Sequence, residues 1–102
     1  MLVNHYRLKP HAKRRMQQRN ITREELQLAL ECGQIEYRAG TKFYFLGTRD
    51  IPTHLRRSHA RLAGLTVVIA NDAIVTLYRN PRAHAAIRRR DKRQMRNLRA
   101  TF

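Results

Sequence analysis

A histidine and two arginines recur at four-residue steps near the start of the chain. His11, Arg15 and Arg19 would lie along one side of a helix. A histidine can move a proton near neutral pH, and an arginine can hold a phosphate through two hydrogen bonds. The three side chains together suit cleavage of a phosphodiester bond, with His11 as general acid or base and the arginines stabilising charge on the phosphate. The alternative is a solvated basic face of a helix.

The last predicted strand alternates in hydropathy and carries a tyrosine near its end. If Val75 and Leu77 face the helices, Thr76 and Tyr78 lie on the open face of the sheet. A tyrosine in that place can stack on a base or donate a hydrogen bond to a phosphate. The alternative is a tyrosine that fills a half-buried gap in the sheet.

The whole chain is strongly basic, with 22 Lys and Arg against 7 acidic residues and a formal net charge of +15 over 102 residues. Charge of this size predicts a polyanionic partner, and the candidates are a nucleic acid, an anionic membrane surface and an acidic protein. The densest basic run follows Pro81, and we expect a basic C-terminal helix or tail over residues 81–102 that contacts phosphates. If that partner is RNA, the residues expected to bind it are Arg14, Arg56, Arg57, Arg61, Thr76, Arg79, Arg88, Arg89, Lys92 and Arg93.

The composition argues against several other kinds of site. The single cysteine, Cys32, cannot form an internal disulfide or a thiolate metal site. The carboxylates are few and the histidines lack metal-ligand spacing, so we expect no metal and no cofactor. The longest apolar run, residues 65–70, is too short to span a bilayer, and no signal peptide is visible. We therefore expect a cytoplasmic protein that does not bind membranes.

Two helices are predicted in the first third of the chain. The first runs from Pro10 to Arg19, since a proline is tolerated in the first helical turn. Thr22 begins the second helix with a capping box, in which Glu25 stands three residues after the capping threonine. Gly33 is expected to end that helix in a left-handed conformation.

Strands dominate the middle of the chain, and residues 47–64 between them form a long basic loop or contain a short helix. Turn residues at Ala39-Gly40 and Asn71-Asp72 predict two hairpins. The lead segment, residues 1–7, is a strand or irregular. The order of elements indicates an α+β fold, with two helices packed on one face of a four-stranded antiparallel sheet. The predicted strands are Ile35–Arg38, Lys42–Leu46, Leu65–Ala70 and Ala73–Arg79.

Two segments resemble a known family. The first is His11-Ala12-x-x-Arg15-Met16-x-x-Arg19-x-Ile21-Thr22, followed by Glu25-Leu26, Leu30 and Gly33. The second pairs Gly64-Leu65-Thr66-Val67-Val68 with Ile74-Val75-Thr76-Leu77-Tyr78-Arg79. Both resemble a widespread bacterial family of small domains of unknown function. That family is placed with the RelE/ParE-like toxins, within the barnase–EndoU–colicin–RelE ribonuclease fold.

The resemblance implies a RelE-like domain over residues 1–80, with RNA bound across the open face of the sheet. It implies metal-independent cleavage by attack of a 2′-OH on the adjacent phosphate, and the matching catalytic residues are His11, Arg15, Arg19 and Tyr78. The leading hypothesis is a toxin-like endoribonuclease of a toxin–antitoxin system. It would act on RNA such as ribosome-bound mRNA, and an acidic antitoxin would neutralise it. The alternatives are a non-catalytic RNA- or ribosome-binding module and a toxin that acts on a protein such as a topoisomerase.

Overall fold

Two helices and a six-stranded sheet make up residues 2–79, the part of the chain that the computed structural model describes. The predicted α+β class is confirmed. The predicted C-terminal helix lies outside the described residues, as do Arg88, Arg89, Lys92 and Arg93. The elements in chain order are β1 (Leu2–Val3), β2 (Tyr6–Leu8), α1 (Pro10–Gln18), α2 (Arg23–Cys32), β3 (Gln34–Arg38), β4 (Thr41–Leu46), β5 (Leu65–Ala70) and β6 (Ala73–Arg79).

The prediction of four strands is wrong, because the N-terminal segment adds two more. Strands β1 and β2 form a tight hairpin through Asn4 and His5, whose φ angles are 49° and 74°. Strand β2 then pairs in parallel with β6, with Arg7 opposite Ala73. The sheet order is β1-β2-β6-β5-β4-β3, and every other neighbouring pair is antiparallel. The parallel pairing joins the two ends of the described chain, so local sequence carries no signal for it.

Helix α1 begins where the sequence predicts and packs against β6. Pro10 occupies its first turn, and the buried residues Ala12 and Met16 face the core, as their four-residue spacing indicates. The helix ends at Gln18, one residue earlier than predicted. Asn20 follows with a φ of 53°, a left-handed conformation that an α-helix cannot continue.

The predicted capping box at the start of α2 is confirmed. The Glu25 backbone N–H donates to Thr22 Oγ1 at 3.1 Å, and the Thr22 N–H donates to Glu25 Oε1 at 2.8 Å. The prediction for Gly33 is wrong in its reason, since its φ is −68° and not left-handed. A glycine is required there by close approach instead. A Cβ at this position would lie 2.5 Å from the backbone oxygen of Ala29.

Both predicted hairpins of the central sheet are present. Ala39-Gly40 and Asn71-Asp72 have φ angles of 45°, 81°, 51° and 57°, as the two-residue turns that match the twist of paired strands require. These turns set the register that pairs β3 with β4 and β5 with β6.

A β-bulge in β6 changes which of its residues face the helices. Val68 pairs with Thr76 and Ile69 pairs with Ile74, which leaves Val75 as the extra residue. Ile74 therefore shares the core face with Leu77, and both are fully buried. Strict alternation would place Ile74 on the face opposite Leu77, and this expectation is wrong because the alternation fails across the bulge.

The basic segment between the hairpins contains short helices, in agreement with the second of the two predicted alternatives. It contains three short 3₁₀ helices, Thr48–Asp50, Thr53–Leu55 and Ala60–Leu62. Ile51 and Leu62 are each 1% exposed and anchor the segment in the core. Because of these anchors, the segment holds its arginines in defined places around the domain.

Candidate phosphate-binding site

The histidine and arginines of α1 lie on a helix that covers the core face of the sheet. His11 is exposed and Arg15 is half-buried. His11 lies in the first turn and Arg19 directly follows the last residue of the helix. Eight residues at 1.5 Å each separate them by roughly 12 Å along the axis. The two ends of the predicted trio therefore cannot contact the same phosphate oxygen without long side-chain reach.

Tyr78 lies on the other side of the sheet. It follows Leu77, which is fully buried against the helices, and strand alternation turns its side chain away from α1. Thr76 shares that second face and is half-buried. The centre of this face is not open, because Phe45 is 7% exposed and Thr66 is 0% exposed. The structure thus does not bring Tyr78 together with His11 and Arg15.

Three arginines from separate elements converge instead on one cavity of about 320 Å³. Arg19 comes from the end of α1, Arg61 from the last 3₁₀ helix and Arg79 from the end of β6. We call this cavity the arginine pocket. Its other lining residues are Gln18 and the apolar side chains Ile21, Leu62 and Leu65. Arg79 is the last residue of β6 and lies opposite Leu65, which also lines the cavity.

Arg61 is fixed in the pocket by a buried carboxylate. Its Nη2 donates to both oxygens of Glu25, at 2.7 and 2.5 Å, and to the backbone oxygen of Asn20 at 3.1 Å. The Glu25 side chain is only 8% exposed, whereas the Arg61 side chain is 51% exposed. All of these bonds use one nitrogen of the guanidinium. Nε and Nη1 therefore remain free, among the described residues, to donate to a ligand.

Arg19 and Arg79 have no side-chain hydrogen bond or ion pair with any residue in the range 2–79. The pocket holds three positive charges against the single negative charge of Glu25, a net charge of +2. Like charges that converge without a counter-ion repel one another. An anion with several oxygens, such as a phosphate, would relieve this repulsion and accept the free guanidinium donors.

A known family covers most of the chain. Residues 8–96 match a domain of unknown function, DUF4258. The chain belongs to this family. All three arginines of the pocket lie inside the matched range, as do both segments on which the family resemblance rests. No curated protein and no solved structure matches this DUF4258 chain.

The other predicted RNA-binding residues of the DUF4258 chain have different placements. Arg56 donates to the backbone oxygens of Ile51, at 3.0 Å, and Arg49, at 3.2 Å, and so braces the 3₁₀ segment. Arg14 and Arg57 are exposed, and neither has a side-chain partner among the described residues. They add positive charge to the surface but do not line the arginine pocket.

Sequence reasoning missed a second cluster in this DUF4258 chain, made of Tyr6, Lys42 and Tyr44. Lys42 Nζ donates to the Tyr6 hydroxyl at 2.8 Å, and the Tyr6 and Tyr44 hydroxyls lie 2.7 Å apart. Lys42 and Tyr44 are two residues apart in β4, a spacing that puts both side chains on one face. That spacing could have been used to predict that Lys42 and Tyr44 lie side by side. The position of Tyr6 beside them could not be predicted in this way, because it depends on the parallel pairing of β2 with β6.

Burial and hydrogen bonds shift the pKa values of the three side chains in this cluster. Burial raises the pKa of Tyr44. Burial also acts to raise the pKa of Tyr6, but the hydrogen bonds from Lys42 and Tyr44 and the charge of Lys42 bring it below its usual value. The hydrogen bonds to Tyr44 and Tyr6 raise the pKa of Lys42. Lys42 therefore carries its positive charge throughout the neutral range.

Two further observations concern the DUF4258 residues that the structure describes, 2–79. They contain no group of three or more His, Cys, Asp or Glu side chains placed to hold a metal ion. None of their helices is long and apolar enough to cross a bilayer.

Proposed function

We propose that this protein binds RNA through its phosphate backbone, with the arginine pocket as the principal phosphate site. The observation that carries the proposal is the convergence of Arg19, Arg61 and Arg79 on one cavity, with two of the three unpaired within residues 2–79. Arg19 and Arg79 gain no side-chain partner within residues 2–79 from this placement. A bound phosphate supplies the missing acceptors.

The shape of the pocket fits a phosphate held by several donors. Arg61 is oriented by Glu25 and presents two free nitrogens, and Leu62 and Leu65 line the same cavity. Arginine is suited to this role because its planar donors pair with two phosphate oxygens at once. The net charge of +15 would attract a polyanion over a longer range and speed its association.

The choice of RNA rests on two supports. The basic composition favours a nucleic acid over a small anion, since further phosphates can contact exposed arginines such as Arg14 and Arg57. The helix motif and closing hairpin resemble a family of small domains that is placed with the RelE-like ribonucleases, and this resemblance supports RNA rather than DNA. A RelE-like relationship is part of this proposal.

Cleavage of the RNA requires more than the pocket supplies. Proton transfer at a phosphodiester needs an acid or base within hydrogen-bond reach. His11 lies at the far end of α1 from the pocket, and Tyr78 lies on the opposite face of the sheet. The geometry therefore favours a non-catalytic RNA-binding protein over the endoribonuclease hypothesis. A toxic action and an acidic antitoxin have the family resemblance as their only support.

The test is RNA binding by the full-length protein, followed by fluorescence anisotropy with a labelled single-stranded RNA. Arg19→Gln and Arg79→Gln should each weaken binding about ten- to hundredfold, since a charged hydrogen bond contributes roughly 1.5–3 kcal/mol. Each should also reduce the slope of affinity against salt by about 0.7, the value for one neutralised phosphate on a single strand. Arg57→Gln is the matched comparison, because it removes the same charge outside the pocket and should therefore weaken binding less than either pocket variant.

Two results would count against the proposal. An equal weakening in Arg57→Gln and the pocket variants would show that binding is diffuse and that the pocket has no special role. Cleavage of the RNA by the wild-type protein, and its absence in His11→Ala, would show a catalytic protein instead.

A further inference from the structure

A cluster of aromatic rings surrounds one lysine at the end of the sheet opposite the arginine pocket. Lys42 lies on β4, opposite Tyr37 on β3 and Ile69 on β5. Arg79 lies opposite Leu65, at the other end of β5. Four residues along the strand and three strand spacings separate the two places by roughly 20 Å.

The ammonium group of Lys42 is held in a fixed position by three tyrosines. Lys42 Nζ lies 4.9 Å from the centre of the Tyr44 ring, 5.6 Å from Tyr6 and 5.8 Å from Tyr37. The hydrogen bond to the Tyr6 hydroxyl, at 2.8 Å, fixes its orientation. Lys42 has three N–H groups and this bond uses one of them, so donor capacity remains for an incoming acceptor.

Tyr37 differs from the other rings of the cluster because it is exposed. Its side chain is 67% exposed, whereas Tyr44 is 5% exposed. Ile35 lies two residues earlier on the same face of β3 and is 45% exposed. Among the described residues, these two are the large hydrophobic side chains most open to solvent. An exposed aromatic face beside a fixed cation is the arrangement that stacks an unpaired base and contacts its phosphate.

We infer that Tyr37 and Lys42 form a subsite for an unpaired nucleobase of a single RNA strand, with the base stacked on the Tyr37 ring and the adjoining phosphate or base oxygen on the Lys42 ammonium. This inference rests on the proposed RNA binding. The subsite contacts a different nucleotide from the one whose phosphate lies in the arginine pocket, because of the distance between them. The two sites together give the protein a preference for single-stranded over duplex RNA.

The alternative role for Tyr37 is to cover the side chain of Lys42 and nothing more. In that case the ring contributes to the cation–π contact but not to RNA binding. If Tyr37 stacks on a base, removal of its ring should weaken binding of single-stranded RNA but not of duplex RNA, because the bases of a duplex are already paired and stacked. If Tyr37 only covers Lys42, removal of the ring should not weaken the binding of single strands selectively.

The experiment compares one labelled RNA as a single strand and annealed to its complement, with full-length protein. Tyr37→Ala should weaken single-strand binding about five- to hundredfold, the range for removal of one base–aromatic stack. It should leave duplex binding unchanged. Tyr37→Phe keeps the ring and should bind both RNAs as the wild type does. Circular dichroism and the thermal midpoint of Tyr37→Ala should match the wild type, because the side chain is exposed.

Arg79→Gln separates this inference from the proposed function. If Arg79→Gln weakens binding and Tyr37→Ala does not, the base subsite is refuted and the arginine pocket stands. If Tyr37→Ala weakens both RNAs equally, the stacking assignment is also refuted, because the ring then acts on the backbone. If neither variant differs from the wild type, both proposals fall.

Discussion

Replacement of Arg61 by alanine should affect both the stability of the domain and the arginine pocket. Arg61 joins the last 3₁₀ helix to the start of α2 through its ion pair with Glu25. Without Arg61, the Glu25 carboxylate stays buried and keeps only the hydrogen bond from the Thr22 N–H, at 2.8 Å. A buried charge without its partner destabilises the folded state.

The size of this effect follows from the exposure of the two partners. Removal of one partner from a fully buried pair costs about 3–5 kcal/mol, and an exposed pair contributes at most about 1 kcal/mol. Glu25 belongs to the first class and Arg61 to the second, with side chains 8% and 51% exposed. We therefore expect Arg61→Ala to lower the free energy of unfolding by about 1–2 kcal/mol.

Urea denaturation followed by circular dichroism measures this difference. With a slope of about 1–3 kcal/mol per molar urea for a small domain, the midpoint should fall by roughly 0.3–2 M. Arg79→Ala is the matched control. It removes the same positive charge, but Arg79 has no side-chain partner among residues 2–79. Its free energy of unfolding should stay within about 0.5 kcal/mol of the wild type.

Equal urea midpoints for Arg61→Ala and Arg79→Ala would refute this expectation. If both variants have the wild-type midpoint, water solvates Glu25 in place of Arg61 and the free energy of unfolding does not change. If both fall by the same amount, the cause is a general effect of charge and not the Glu25 pair. RNA affinity should fall in both variants, so stability and binding can be separated with Arg79→Ala alone.

Three other predictions concern single positions. Gly33→Ala should lower the free energy of unfolding by about 1–3 kcal/mol, because the new Cβ would lie 2.5 Å from a backbone oxygen. Gly40→Asn is the comparison in the same urea titration and should lower it less. A Cβ at Gly40 would meet no atom within 4 Å, and asparagine tolerates the left-handed conformation of that turn. Thr22→Ala should cost about 1 kcal/mol because it removes the helix cap, and an equal cost in Thr22→Ser would contradict this explanation. Lys42→Met should raise the pKa of Tyr6, since it removes a hydrogen bond and a charge that favour the phenolate. Phenolate absorbance measured against pH, with Tyr6→Phe to assign the signal, checks this shift, and an unchanged curve would rule it out.

The helices and hairpins of the central domain could be predicted because their signals are local. The capping box of α2 joins Thr22 to Glu25, three residues apart. The turn at Asn71-Asp72 needs only two residues that tolerate positive φ. The bounds predicted for β5 and β6, Leu65–Ala70 and Ala73–Arg79, are confirmed.

The faces of the sheet could not be predicted with the same success. The bulge at Val75 reverses the alternation of β6, and no residue type in that strand marks it. The strand that holds Tyr6 pairs with β6 across almost the whole described chain. Such pairings depend on the packing of the complete sheet, and a pattern read along one segment does not contain them.

The amino-acid sequence by itself determined the α+β class, the capped second helix, the central hairpins and the excess of positive charge. Only the tertiary structure decided which charges act together. It separated Tyr78 from His11, and it joined Arg19, Arg61 and Arg79 in one pocket. The physical reason is the separation along the chain of the residues that must interact. Caps and turns depend on neighbours within a few residues, whereas a binding site depends on side chains that meet only after the sheet has formed.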